Sequence, residues 1–155
     1  MIRARSQFFR TPAFPKGSGP DFVNAAVALE TDLSAAELLA RLHEVEAEHG
    51  RVRRDRWSQR CLDLDLIAMD ALVLPSRGEY MRWVKLPLSE QMRLVPGELV
   101  LPHPRMQDRA FVLVPLAEVL ESVAPNWQHP VTGATVAAML EALPAVDVAE
   151  VVALP

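Results

Sequence analysis

Cysteine is almost missing from this chain of 155 residues: Cys61 stands alone. A lone thiol excludes an intrachain disulfide and a cysteine-rich metal site. Lysine is scarce too, with Lys16 and Lys85 the two lysines among sixteen basic residues. Such an arginine bias can follow from genome composition and carries no functional weight. No run approaches the roughly eighteen apolar residues of a membrane span, and no signal peptide opens the chain, so a cytoplasmic location is expected. Positive charge is not in surplus: the net charge of −4 argues against general binding to nucleic acid or an anionic membrane. Internal repeats and low-complexity tracts are also missing. What is present is ordinary for one folded domain over residues 1–155, with 50% hydrophobic and 23% charged residues.

Against that acidic background one stretch is exceptional. From Arg51 to Asp65 the chain runs R-V-R-R-D-R-W-S-Q-R-C-L-D-L-D, with Arg51, Arg53, Arg54, Arg56 and Arg60 clustered around Trp57 and followed by Asp63 and Asp65. Guanidinium groups offer phosphate a planar fork of donors. Two carboxylates at i, i+2 leave the same face of a strand, with Cα atoms roughly 6–7 Å apart. That separation suits a pair of divalent ions about 3.5–4 Å apart, which clamps a transferring phosphoryl group. A bare D-x-D is more often the polar face of a half-exposed strand. The adjoining arginines reverse that preference, because they supply counter-charge for a polyphosphate carried with Mg²⁺. The arginine run is itself expected on a mobile loop, either solvated and pairing with Glu44, Glu46 or Glu48 or closing over phosphate.

The surrounding pattern places this stretch. Ile2 to Phe9 has strand-like content, Thr11 to Pro20 is a loop, and Phe22 to Leu29 reads as a buried strand. Ser34 with Glu37 forms a capping box, after which Leu38, Leu42 and Val45 recur at helical spacing until Gly50. Glu37, Arg41, Glu44 and Glu48 fall on the solvent side. Cys61 to Met69 alternates as a strand would, with Leu62, Leu64 and Leu66 toward the buried face. Leu74 to Gly97 is polar and irregular, longer than an ordinary connection. Phe111 to Leu120 and Thr135 to Leu143 read as short helices. Among the histidines, His43, His49 and His129 read as surface or structural, whereas His103, in L-P-H-P-R-M-Q-D-R-A-F, lies where an anion could be met.

Four segments, F-F-R-T-P-A-F (8–14), P-D-F-V-N-A-A-V-A-L-E-T (20–31), R-W-S-Q-R-C-L-D-L-D-L (56–66) and L-P-H-P-R-M-Q-D-R-A-F-V-L-V-P-L (101–116), together resemble the 6-hydroxymethyl-7,8-dihydropterin pyrophosphokinases of folate biosynthesis. They occur in that family's order, and Arg60, Asp63 and Asp65 keep its R-x-x-D-x-D spacing. The resemblance implies a kinase-type transferase that moves the diphosphate of ATP onto the pterin hydroxymethyl group and releases AMP. It implies two Mg²⁺ held by Asp63 and Asp65, with Arg51 and Arg60 stabilising the group in transit and Arg53 assisting. By the same resemblance Phe22 and Phe111 would sandwich the pterin and Asn24 would read its amide edge. Thr11, Pro12, Phe14 and Trp57 would complete that pocket. Glu46, Leu66, His103 and Arg109 match nucleotide-side positions. The implied fold is an α+β, ferredoxin-like α/β sandwich with an antiparallel sheet, monomeric at full length, binding small molecules and neither nucleic acid nor membrane.

The chain departs from the family pattern in three places. The loop around Arg54 and Asp55 is one residue short. The stretch 74–97 is an insertion that puts Glu98 and Val100 where some relatives carry arginine and threonine near ATP. The family's first strand, Gly-Ser-Asn turn and helix do not precede Ile2, so Met1 is expected to be an internal or misassigned start. The rival expectations are a non-catalytic remnant that retains pterin or nucleotide binding and, far less favoured on charge, an RNA-binding α/β sandwich.

Overall fold

The computed structural model describes residues 1–13, 17–49, 62–91 and 93–155. Its N-terminal part is an antiparallel pairing bent in the middle. The single strand expected over Ile2–Phe9 divides into β1 (Ile2–Arg5) and β2 (Phe9–Thr11), and the strand expected over Phe22–Leu29 divides into β3 (Phe22–Asn24) and β4 (Val27–Leu29). Ser6 explains the break. Its N–H donates to the Ala26 carbonyl at 2.9 Å, while its buried Oγ accepts the Ala26 N–H at 2.9 Å. A side chain thus replaces one rung of the ladder, and both strands change sheet there. β1 pairs with β4 in one sheet, and β2 pairs with β3 in the other, with Thr11 opposite Phe22. β5 (Val152–Ala153), too short to show any alternation in sequence, joins the free edge of β2. Expected burial also fails on β3 and β4: Phe22 is 54% exposed, and Val23, Val27 and Leu29 are exposed as well.

α1 (Ala35–Glu48) starts where the capping box puts it: Oγ of Ser34 accepts the Glu37 N–H, and Glu37 accepts the Ser34 N–H at 2.8 Å. That reciprocal pairing satisfies two donors that a helix start otherwise leaves open. Its inward stripe is Ala35, Leu38, Leu42 and then Glu46, while Val45 lies exposed, contrary to the apolar spacing drawn through Val45. Successive residues turn by about 100°, so a stripe through 35, 38 and 42 arrives at 46. Leu38, Leu42, Val45 and Gly50 had suggested the helix and its end; Gly50 lies outside the described residues.

The C-terminal half is helical. α4 (Ala110–Val123) packs across β1, β4, β2 and β3 and against α5 (Val136–Ala142) and α6 (Ala145–Ala149). The result is a mixed α/β sandwich with antiparallel sheets. Met106, Leu113, Val136 and Met139 form its core, with Ile67 and Trp127 against them. A second core corrects the expectation that 74–97 is irregular. That stretch contains α2 (Arg77–Lys85) and α3 (Leu88–Gln91), and Tyr80 and Trp83 of α2 are buried with Val100 and Val131. Ser76 caps α2 by accepting the Glu79 N–H at 3.2 Å. Two aromatic anchors among arginine, glutamate and lysine make too thin a stripe for periodicity to reveal.

The strand expected over Cys61–Met69 forms no ladder among the described residues; Cys61 itself lies outside them. Its alternation survives without one, since Asp63 and Asp65 are exposed between half-buried Leu62, Leu64 and Leu66. Among the described residues no helix is long and apolar enough to cross a membrane.

Candidate active site

A cavity of about 210 Å³ opens beside the D-x-D segment. α1 contributes Leu39, His43 and Glu46 to its wall, at spacings i, i+4 and i+7 that share one helix face. The extended segment contributes Asp63, Leu64, Asp65 and Leu66, and Leu99, Val100 and His103 close it. Glu46, Asp63, Asp65, Leu66 and His103, all picked out from sequence, therefore share one concavity. His43, read from sequence as surface or structural, lines the same space. It does so while remaining exposed, three residues before Glu46 in the register of α1.

His103 is fixed from two sides. Its backbone N–H donates to the Ile67 carbonyl at 2.7 Å, and its Nδ1 accepts the Arg105 N–H at 3.1 Å. An accepting Nδ1 leaves the proton of a neutral ring on Nε2. Burial pushes the His103 pKa down to about 4, with the positive charges of Arg109 and Arg105 adding to the effect. At neutral pH the ring is an uncharged hydrogen-bond donor, not a cation.

Arg109 connects the cavity to the next element. Burial lowers its pKa first and Arg105 lowers it further, while Asp65, Asp108 and Asp63 oppose the shift. It stays a cation at any ordinary pH, because guanidinium is effectively always protonated. Its Nε is buried with no hydrogen-bond partner among the described residues, and its guanidinium lies 5.7 Å from the ring centre of Phe111 in the first turn of α4. One side chain thus feels both aspartates and covers the aromatic ring. Pro115, four residues on, has no N–H to give the Phe111 carbonyl.

Thr11, Phe22 and Asn24 form a separate group on β2 and β3, with Pro12 directly after β2. Asn24 Nδ2 donates to the buried Thr11 hydroxyl at 2.6 Å, and Phe22 stands across from Thr11. α4, whose first turn carries Phe111, packs on both strands. Phe14, Arg51, Arg53, Trp57 and Arg60 lie outside the described residues.

The donors suit a hard divalent cation: Asp63 and Asp65 offer oxygen ligands from the same side of an extended segment. Among the described residues no three or more histidine, cysteine, aspartate or glutamate side chains converge as a metal cage. Such a pair would leave other coordination positions to a ligand, as Mg²⁺ sites built on substrate phosphates do.

Comparison with known proteins matches residues 1–121 to the family described as 7,8-dihydro-6-hydroxymethylpterin-pyrophosphokinase (HPPK). The chain belongs to the HPPK family. It is 38% identical over 136 residues to a 2-amino-4-hydroxy-6-hydroxymethyldihydropteridine pyrophosphokinase of Synechocystis sp., covering 88% of this chain and 57% of that protein. Its identity is 34% over 124 residues to the Haemophilus influenzae protein of the same name, covering 79% and 65%. The Methylorubrum extorquens HPPK is 37% identical over 118 residues, covering 76% and 62%. The chain thus spans 57% to 65% of the length of these curated relatives. The matched HPPK region takes in α1, the D-x-D segment, α2 and the His103–Phe111 stretch.

Proposed function

We propose that this chain transfers diphosphate from ATP to 6-hydroxymethyl-7,8-dihydropterin, releasing AMP, on a ferredoxin-like scaffold. The observation that carries this reading is Arg109, which feels the charges of Asp65 and Asp63 while its guanidinium covers Phe111. A cation so placed stands between a phosphate side and a ring side.

On the phosphate side Asp63 and Asp65 would hold two Mg²⁺, which when bound offset phosphate charge and orient the bridging oxygens. His103 donates an uncharged N–H to a phosphate oxygen, and Arg109 supplies positive charge beside it. Leu66 and Glu46, which line the same cavity, would face the nucleotide. Arg51 and Arg60, with Arg53, would neutralise the group in transit, and Trp57 would cover the bound substrates. On the ring side Phe22 and Phe111 would stack on the pterin, where offset aromatic pairs contribute about 0.5–1.5 kcal/mol beyond area burial. Asn24 would read the amide edge, held in place by Thr11, with Pro12 and Phe14 closing the pocket. Such chemistry needs positioning and charge neutralisation more than a protein nucleophile.

A second reading, binding without turnover, draws support from the exposure of Phe22, a residue meant to hold one face of the ring. Measuring AMP formation from Mg²⁺-ATP, with and without the pterin, separates the two. Pterin-dependent AMP is expected; tight binding of both ligands with no AMP would leave the second reading standing. Phe111→Ala should raise the KM for pterin by about tenfold and that for ATP much less. Equal losses for both ligands would remove the stacking role.

A further inference from the structure

The D-x-D segment has a mechanical problem. Its two carboxylates must point in fixed directions, yet no ladder among the described residues holds residues 62–69. Two hydrogen bonds bracket Asp65 instead. At one end the His103 N–H reaches the Ile67 carbonyl at 2.7 Å. At the other, the Leu64 N–H, in the residue between the two aspartates, donates to Oε1 of Glu46 at 2.8 Å.

We propose that Glu46 is a positioning residue for Asp63 and Asp65: by holding the Leu64 N–H it stands in for a strand partner and fixes the direction of both aspartate side chains. The inference rests on the reading of this cavity as the Mg²⁺-nucleotide site. Glu46 is 2% exposed and sits on a fourteen-residue helix whose start is doubly capped, so its carboxylate is a fixed point. A carboxylate taken out of water is costly unless hydrogen bonds satisfy it, and a residue that merely filled space there would be apolar. A charged acceptor binds a backbone N–H about twice as strongly as a neutral one. Rotation of the Leu64 peptide would swing Asp63 and Asp65 together, because they flank it.

The test compares Glu46→Ala, Glu46→Gln and Glu46→Asp with the wild-type chain. Glu46→Ala should lower kcat by about 10- to 100-fold, since a misplacement of about 1 Å has that scale of effect. It should raise the Mg²⁺ concentration needed for half-maximal rate, while KM for ATP at saturating Mg²⁺ stays within about threefold. Glu46→Gln keeps an oxygen acceptor of the same reach and should recover most of the rate. Glu46→Asp keeps the charge one methylene too short and should behave like Glu46→Ala. Hydrogen exchange at the Leu64 amide supplies a readout independent of turnover: slow in the wild type and Glu46→Gln, fast in the other two. If Glu46→Ala fails to fold, Glu46→Asp against Glu46→Gln makes the same comparison. The inference is overturned if Leu64 stays equally protected in Glu46→Asp, or if Glu46→Gln raises KM for ATP with no change in Mg²⁺ dependence. Wild-type chain that forms no AMP would defeat the functional reading instead, and Leu64 exchange would still decide the role of Glu46.

Discussion

Val100 is the wall between two cavities of similar size, about 210 Å³ on the Asp63–Asp65 side and about 240 Å³ on the α2 side. The second is lined by Glu79, Arg82 and Trp83, with Glu98 and prolines 75 and 96. Volume does not distinguish them; charge does. In the α2 cavity Glu79 and Arg82 are bonded to each other three residues apart, and Glu79 also accepts the Trp83 Nε1–H at 3.1 Å. Its lining cation, Arg82, is thus answered by a carboxylate of its own helix, with Glu98 also on the wall. On the other side two exposed aspartates sit near an uncharged imidazole donor and a partly buried guanidinium from different elements. A cation whose carboxylate neighbours come from another element, rather than from its own helix, is harder to explain as surface solvation, and it favours the first cavity as the proposed site.

The sharpest break in this contrast is Asp65→Ala. Losing one of two oxygen ligands should remove several kcal/mol of transition-state stabilisation, a fall in kcat of about 10³-fold or more. Circular dichroism should stay unchanged, because Asp65 is exposed and fills no core. Wild-type turnover by that variant would take the cations away from this segment and erase the distinction between the two cavities.

Acid should act next most strongly, and through the same side. Unfolded chain takes up a proton on His103 near 6.5, the folded protein only near 4. Stability is therefore fully present above about pH 6.5 and is lost as pH falls toward 4, by about 3 kcal/mol for the gap of 6.5 less 4. Burial lowers the pKa of His129 as well, so it adds a loss of the same sign. Urea unfolding at pH 7, 5 and 4 measures the slope, and His103→Gln should flatten part of it. An unchanged slope would mean that His103 is already charged in the fold.

How much of this was legible in the sequence varies from residue to residue. α1 was, because Ser34 and Glu37 announce its start chemically and its exposed side carries Glu37, Arg41, Glu44 and Glu48. The helices expected over Phe111–Leu120 and Thr135–Leu143 also form, as α4 and α5, and family membership followed from motif order. The alternation at 62–66 was read correctly as a pattern and wrongly as a strand. Exposure alternates with the pleat whether or not a neighbour pairs, and pairing is a non-local property. The division of both N-terminal strands turned on Ser6, whose hydroxyl replaces a backbone partner twenty residues away. α2 escaped because what fixes it is more distant still: Arg77 Nη2 reaches the Val131 carbonyl at 2.8 Å, and Tyr80 meets His129. His43 was passed over because spacing among histidines says nothing about a cavity whose other wall is eighteen or more residues on.

The smaller effects belong to the α2 side. His129 Nδ1 accepts the N–H groups of Val131 and Thr132, at 3.2 and 3.3 Å, so its Nε2–H faces the Tyr80 hydroxyl at 2.8 Å. Tyr80→Phe strands that buried N–H at a cost of about 1–3 kcal/mol, a fall in Tm of about 3–10 °C for a domain of this size. Turnover below the melting range should change little, since Tyr80 stands behind Val100 and is not among the residues lining the proposed site. Arg82→Ala should do least of all. Its partner Glu79 is on the same helix and the pair is open to solvent, where such ion pairs contribute little. KM for ATP and kcat are expected within about twofold of wild type. A rise of tenfold or more in KM for ATP would show that nucleotide crosses the Val100 wall, and the two cavities would then have to be treated as one.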